Sequence, residues 1–227
     1  MFLSVVIPAH YEADNLPQLL NEIRTSLACM ESYEVGVVDD GSSDNTPTML
    51  DKIQSEFPQL RIVRHACSCG QSTALMTGVD AATGEILATL DGDGQNDPID
   101  IPGMVDLLVQ SRQTEEVRMV AGMRTKRLDS HWRIISSRIA NGVRSRILKD
   151  GTPDSGCRIK LFLRQIFEIL PRFNHMHRFM PSLVVSGGGK VAVVERLDVV
   201  YDEQTNLDSI WFDRSAPVHS PVRRAVA

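Results

Sequence analysis

The chain has 227 residues, 42% of them hydrophobic and 23% charged, a balance that excludes a disordered or fully membrane-embedded polypeptide. At this length an α/β fold hides roughly 70% of its unfolded surface, so one domain stands without disulfide or metal staples. A formal charge of −5 argues against a general nucleic-acid binder, because no global positive field gathers phosphates.

Leu3 to Ile7 is a short apolar, β-branched run ahead of Pro8 and reads as a first strand. Its start, Met1 to Ile7, has no basic lead and is too short for a secretory signal. Asn15 and Pro17 open a helix that carries Leu16, Leu19, Leu20, Ile23 and Leu27 at helical spacing. Glu34 to Val38 is the second strand, which completes a βαβ unit and ends in Asp39-Asp40-Gly41-Ser42. Thr46 to Phe57 is the second helix, with Pro47 near its start, and Arg61 to Arg64 the third strand. Gly70 to Ala82 is a third helix and Glu85 to Leu90 a fourth strand, followed by Asp91-Gly92-Asp93-Gly94-Gln95.

The texture changes after Met119 to Arg124. Trp132 to Lys149 carries Ile135, Ile139, Val143 and Ile147 in one stripe, with Arg133, Arg138, Arg144, Arg146 and Lys149 around it. Such a helix suits an anionic membrane surface and equally suits packing on a sheet. Leu161 to Leu170 reads as a further helix and Val191 to Val194 as a last strand. These elements predict one domain over residues 1–201 and an irregular tail over 202–227. No run reaches the ~18 to 20 apolar residues that span a bilayer, so membrane contact is expected to be peripheral. Cys29, Cys67, Cys69 and Cys157 form no CxxC pair or repeated ligand spacing, which favours free thiols in the cytoplasm.

The fold class expected is α/β, a single mainly parallel sheet with flanking helices. In an open parallel sheet the turns after the strands gather on one edge, where ligands bind. Pro8 to Glu12, Asp39 to Asp44 and Asp91 to Gln95 are therefore expected to converge. Asp91 and Asp93 are carboxylates one residue apart at a strand end, suited to one hard divalent ion, and Gln95 adds a neutral oxygen. The same residues also suit a plain Asp-Gly turn. An EF-hand is excluded, because Pro102 stands where its twelfth-position Glu belongs. In the second acidic turn, carboxylates can accept hydrogen bonds from a base and a ribose, while Ser43 or Asp44 caps the next helix.

Ser4 to Glu12, Val38 to Asp44 and Asp91 to Pro98 resemble three successive motifs of family 2 glycosyltransferases. Gly70-Gln71-Ser72, Asp154-Ser155-Gly156-Cys157-Arg158 and His175-Met176-His177-Arg178-Phe179 resemble downstream motifs of the polyprenyl-phosphate sugar transferases, dolichyl-phosphate mannosyltransferase among them. The resemblance runs from about Ser4 to Glu195 and implies a GT-A-like, Rossmann-like nucleotide-diphospho-sugar transferase fold. It implies that Pro8, Ala9, Tyr11, Glu12, Asp39 and Asp40 hold the nucleotide and that Asp91 lies beside the sugar diphosphate. Asp93 and Gln95 would then hold Mg²⁺ or Mn²⁺, and Arg124 and Arg158 would face phosphates in the catalytic centre. Gln71, Asp154, Ser155, His177 and Arg178 are expected on the acceptor-phosphate side.

The function implied is inverting, metal-dependent transfer of a hexose, mannose or glucose, from GDP-mannose or UDP-glucose to a polyprenyl phosphate. The cytoplasmic face of a membrane is the expected location, with a second copy or a separate membrane anchor as further partners. Three alternatives stay open: a nucleotide-sugar-binding chain with little turnover, a soluble family 2 transferase acting on a polysaccharide, and a nucleotidyltransferase. The last would want a Gly-rich loop with Arg and Lys after the first strand, and Pro8 to Asn15 has neither.

Overall fold

A computed structural model describes residues 2–94, 97–111, 117–123 and 159–195. The basic stripe of 132–149 and the division between 201 and 202 lie outside the described residues.

The chain begins with β1 (Leu3–Ala9), α1 (Leu16–Ser26), β2 (Tyr33–Asp39), α2 (Thr46–Glu56) and β3 (Leu60–Arg64). It continues with α3 (Gln71–Ala81), β4 (Ile86–Thr89), α4 (Ile101–Ser111) and β5 (Val117–Met123). The last described elements are β6 (Lys160–Leu163), α5 (Arg164–Ile169), α6 (Met180–Ser186) and β7 (Lys190–Glu195). Leu16, Leu19, Leu20 and Ile23 of α1 are buried, as their helical spacing requires. β1 is buried along nearly its whole length, which is the mark of a strand covered on both faces.

All seven strands form one sheet in the order β3-β2-β1-β4-β6-β5-β7. β3, β2, β1 and β4 are mutually parallel, and β5 is parallel to β7. β6 runs antiparallel to both β4 and β5, so the sheet is mixed at its centre. The chain adds β2 and β3 on one side of β1 and then crosses to place β4 on the other. The reversal makes the carboxyl end of β1 a topological switch point, where open sheets leave a crevice for ligands.

The crevice is visible in the hydrogen bonding. Pairing of β1 with β4 stops at Val6–Thr89, with a last bond from the Leu90 N–H to the Val6 carbonyl (3.1 Å). Pairing with β2 runs on to Ala9–Asp39, and the Asp40 N–H then reaches the Ala9 carbonyl (2.8 Å). β1 thus continues through Pro8, beyond the expected end at Ile7. Pro8 is tolerated there because pairing with β4 has already ended, so a missing N–H leaves no carbonyl waiting on that side.

The expected helix over Leu161 to Leu170 is corrected by the structure. Lys160–Leu163 is a fully buried strand between β4 and β5, and only Arg164–Ile169 is helical. A short apolar run fits a buried strand and a buried helix alike, and here the vacant place in the sheet decides.

The end of the sheet away from the crevice is closed by polar clasps. Ser4 Oγ donates to Glu34 Oε1 (2.6 Å), which also accepts from the Thr83 N–H (2.6 Å) and hydroxyl (2.8 Å). Burial alone would raise the Glu34 carboxyl, but these bonds hold it below its ordinary range. Arg164 donates to the carbonyls of Gly84 (2.9 Å), Val79 (3.1 Å) and Ala82 (2.6 Å), so its guanidinium caps the last turn of α3.

α3 lies close against β1 and β2 because Gly78 has no side chain. A Cβ there would stand 2.4 Å from Val6 Cγ1 and 3.0 Å from Val38 Cγ2. Both neighbours are β-branched and stiff, so they cannot turn aside. Replacing Gly78 by Val is expected to destabilise the protein by about 1 to 3 kcal/mol, the cost of overpacking a core. Urea unfolding followed by circular dichroism measures it.

Candidate active site

The second acidic turn is built from two carboxylates that face different ways. Asp39, only 2% exposed, accepts the Ser42 N–H on Oδ1 (3.0 Å) and so shapes its own turn. Asp40, 3% exposed, turns toward the loop that leads into α3. Its oxygens accept from the Ser68 hydroxyl (2.9 Å), the Cys69 N–H (2.9 and 3.1 Å), the Gly70 N–H (2.8 Å) and His65 Nδ1 (2.6 Å). Burial pushes the Asp40 pKa up, but the Cys69 N–H, His65, the Gly70 N–H and Ser68 outweigh it and hold the carboxyl at about 2. An ionised carboxylate only accepts, so His65 Nδ1 carries the proton of that bond. Its Nε2, 3.0 Å from Thr77 Oγ1, then accepts from the threonine hydroxyl.

Gly41 lets the two turns meet. It has φ +70°, and a Cβ would stand 2.5 Å from the Cys67 carbonyl carbon and 2.7 Å from the Ser68 nitrogen. No side chain fits between turn and loop, and the left-handed backbone excludes most residues independently.

The end of β1 is tied to the same turn. Tyr11 is left-handed, with φ 61°; its N–H donates to Ser42 Oγ (3.0 Å) and its hydroxyl meets Ser43 Oγ (3.1 Å). Its ring is 54% exposed and lies against His10. The Glu12 N–H donates to Thr46 Oγ1 (3.1 Å), and Glu12 Oε2 accepts from Asn15 Nδ2 (2.6 Å). The N-cap of α2 is Asn45 and not Ser43 or Asp44 as expected; Asp44, one residue earlier, accepts the Thr46 N–H on Oδ1 (3.1 Å).

The Asp91 turn closes the crevice from the β4 side. Gly92 is buried against β1, and a Cβ there would lie 3.2 Å from the Pro8 carbonyl oxygen and 3.4 Å from Glu12 Cγ. Asp91 Oδ1 accepts from Gln71 Nε2 (2.8 Å), which joins the turn to the first residue of α3. Pro8, Ala9, Glu12, Asp39, Gln71, Asp91 and Asp93 therefore belong to elements that meet at one edge of the sheet. Asp91 and Asp93 are half-buried carboxylates on one turn, and as hard oxygen donors they fit a divalent cation such as Mg²⁺ or Mn²⁺.

The third helix brings a further group to this edge. Ser72 Oγ lies 2.7 Å from His177 Nδ1, although the two residues are 105 positions apart in sequence. Burial lowers the His177 pKa, and the charges of Lys160, Arg178 and His175 lower it further, to about 4. His177 is therefore neutral near pH 7 in a locally positive field. His175 stands apart in a left-handed turn, its ring centroid 6.3 Å from that of His177.

Gln95, Arg124, Asp154, Ser155 and Arg158 lie outside the described residues. Sequence reasoning missed His65 and Lys160, and named Ser72 only within the Gly70-Gln71-Ser72 motif. Lys160 did leave a signal, as a lone charge inside the apolar run Ile159 to Leu163, and it is 9% exposed. His65 left none, because an ordinary polar residue marks no chemistry until the fold places it.

Comparison with known proteins places this geometry in a class. The fold is of the GT-A type. A mannosyltransferase from Pyrobaculum calidifontis, solved with GDP-Man and Mn²⁺, superposes with a TM-score of 0.64 at 22% identity, over 86% of this chain and 56% of that one. At that identity the likeness shows the fold alone.

The model of glycosyl transferase family 2 matches residues 4–170, and the chain belongs to that family. Dodecaprenyl-phosphate galacturonate synthase of Rhizobium johnstonii is 35% identical over 185 residues, which is 80% of this chain and 54% of that protein. Undecaprenyl-phosphate 4-deoxy-4-formamido-L-arabinose transferase of Klebsiella pneumoniae is 33% identical over 183 residues, with the same coverage. The chain thus spans about half the length of these curated relatives.

Two titrations set an expected pH dependence. The folded His177 refuses a proton that the unfolded chain accepts, so its contribution is complete above pH 6.5 and lost as pH falls toward about 4. Asp40 is depressed from 3.8 to about 2, so its contribution is present above pH 3.8 and lost as pH falls through 2. Stability should therefore fall on acidification, and His177→Gln should flatten the part between pH 6.5 and 4. Denaturant melts at stepped pH check the slope.

Proposed function

We propose that this chain is a polyprenyl-phosphate sugar transferase, moving a sugar from a nucleoside diphosphate to a lipid phosphate. The observation that carries this is the meeting of three strand ends at the switch point, with Gly92 against Pro8 and Glu12 and with Gln71 bonded to Asp91. The curated relatives, both named for polyprenyl-phosphate substrates, support the acceptor class.

In this reading Pro8, Ala9, Tyr11, Glu12 and Asp39 line the nucleotide site. Asp39 offers its carboxylate to the base or ribose, and the exposed Tyr11 ring offers a face for stacking. Asp40 acts through position, because its oxygens are committed to residues 65–70. Departure of the nucleoside diphosphate leaves charge on the β-phosphate, which needs fixed positive groups. Asp91 and Asp93, with Gln95, would hold Mg²⁺ or Mn²⁺, which supplies Lewis-acid stabilisation of that charge when bound. Gln71 fixes the Asp91 rotamer through its amide.

The acceptor side is assigned to Ser72, His177 and Arg178, with Asp154, Ser155 and Arg158 in the same role and Arg124 facing the leaving phosphates. A lipid phosphate is already ionised near neutral pH, so no strong general base is needed to make it a nucleophile. Neutral His177 can donate a hydrogen bond without competing for the phosphate proton, while Lys160 and Arg178 supply positive potential. Attack on the face opposite the leaving group inverts the anomeric centre. Peripheral contact with the cytoplasmic face of a membrane would bring the lipid within reach; no helix among the described residues is long and apolar enough to cross one.

The relatives' names specify a galacturonate and a formamido-arabinose, so the donor is open beyond mannose and glucose. A panel of UDP- and GDP-linked neutral hexoses, uronic acids and amino pentoses, offered with a polyprenyl phosphate and Mn²⁺, is expected to give product with at least one donor. Donor binding in calorimetry without transfer on any donor would favour a binding-only chain. Asp93→Ala should cut transfer by about 10²-fold or more while leaving the thermal melt unchanged. Near-wild-type transfer in that variant would remove Asp93 from the site.

A further inference from the structure

We infer that the loop behind the nucleotide turn is a binding site for a thiophilic divalent cation such as Zn²⁺, formed by His65, Cys69 and Asp40 and separate from the hard-cation corner at Asp91 and Asp93. One ligand atom from each of the three residues lies within 4.8 Å of the others. A tetrahedral zinc site places its ligand atoms roughly 3.3 to 3.8 Å apart, given Zn–N and Zn–S bonds of about 2.0 to 2.3 Å. Turning the exposed Cys69 side chain brings the sulfur in, and the half-buried His65 ring swings back from the 2.6 Å contact with Asp40 Oδ1 by about 0.7 Å or more to admit the ion.

The donor set chooses the ion. Imidazole nitrogen and thiolate sulfur favour zinc and its heavier congener, whereas Mg²⁺ and Mn²⁺ favour carboxylate, carbonyl and water. Two of the three ligands are already oriented: the His65 Nδ1 to Asp40 Oδ1 bond is 2.6 Å, and Thr77 Oγ1 stands 3.0 Å from His65 Nε2. The ion takes the place of the proton in the His65–Asp40 bond. That proton moves to Nε2, where Thr77 Oγ1 accepts it, a second-shell arrangement common around ligating histidines. The one proton released is that of the Cys69 thiol, whose sulfur becomes the third ligand, and water completes the shell. Cys69 is exposed, and its Sγ donates to the Cys67 carbonyl (3.3 Å), a bond that the metal-bound thiolate gives up.

This inference does not depend on the transferase reading, since it concerns binding alone. The test is titration of the reduced full-length chain with Cd²⁺, following the ultraviolet thiolate-to-cadmium charge-transfer band, and with Zn²⁺ as competitor. One equivalent is expected to bind with the band, to be displaced by Zn²⁺ and not by Mg²⁺, and to be unaffected by Cys29→Ser. Cys69→Ser, an exposed change that spares the fold, should weaken binding by roughly a hundredfold or more, beyond the loss typical of an outer-shell partner. His65→Gln should weaken it comparably. Absence of the band in the wild-type chain, or wild-type affinity in Cys69→Ser, overturns the proposal.

Discussion

The carboxylate of Asp40 is the fastening on which the site's shape depends. Four donor residues from one loop converge on its two oxygens, at a point where β2 ends and the approach to α3 passes behind it. A buried charge is costly unless hydrogen-bonded on all sides, and here the bonds more than offset the burial, as the low pKa records. Because the loop is held there, Gly70 and Gln71 begin α3 where Gln71 can reach Asp91. The two acidic turns are thus coupled through the start of one helix, although they come from different strands.

Around this fastening, charge is sorted by sign. The Asp39 and Asp91 turns place carboxylates at the ends of β2 and β4, on either side of β1. Burial first, and then the charges of Lys160, Arg178 and His175, keep the His177 imidazole neutral. A cation and a phosphorylated ligand can therefore be drawn to adjacent parts of one edge, each by the field it needs.

Much of the architecture was legible in the residues. Leu16, Leu19, Leu20 and Ile23 mark α1 by periodicity, and the alternation of such patterns with β-branched runs predicts the parallel half of the sheet. The convergence of the acidic turns was legible as well, because turns that follow parallel strands gather on one edge of the sheet. What was not legible is what depends on distant partners. Lys160 to Leu163 is a strand because β4 and β5 leave a place for it, and a four-residue apolar run cannot announce that. Asp40 and Asp39 look alike in sequence, yet one shapes its own turn and the other fastens a loop. The pairing of Ser72 with His177 spans most of the domain and follows only from the finished fold.

The capture of three carbonyls by Arg164 at the far end of α3 has a mechanical consequence. A strut anchored at its tail and seated through Gly78 on two stiff valines has no freedom to slide or pivot. With residues 65–70 fastened to Asp40 as well, accommodation of an incoming molecule then falls to the rotamer of Gln71. Discrimination between similar guests would be decided by small torsional adjustments at the head of this strut, with the rest of the scaffold serving as a fixed reference frame.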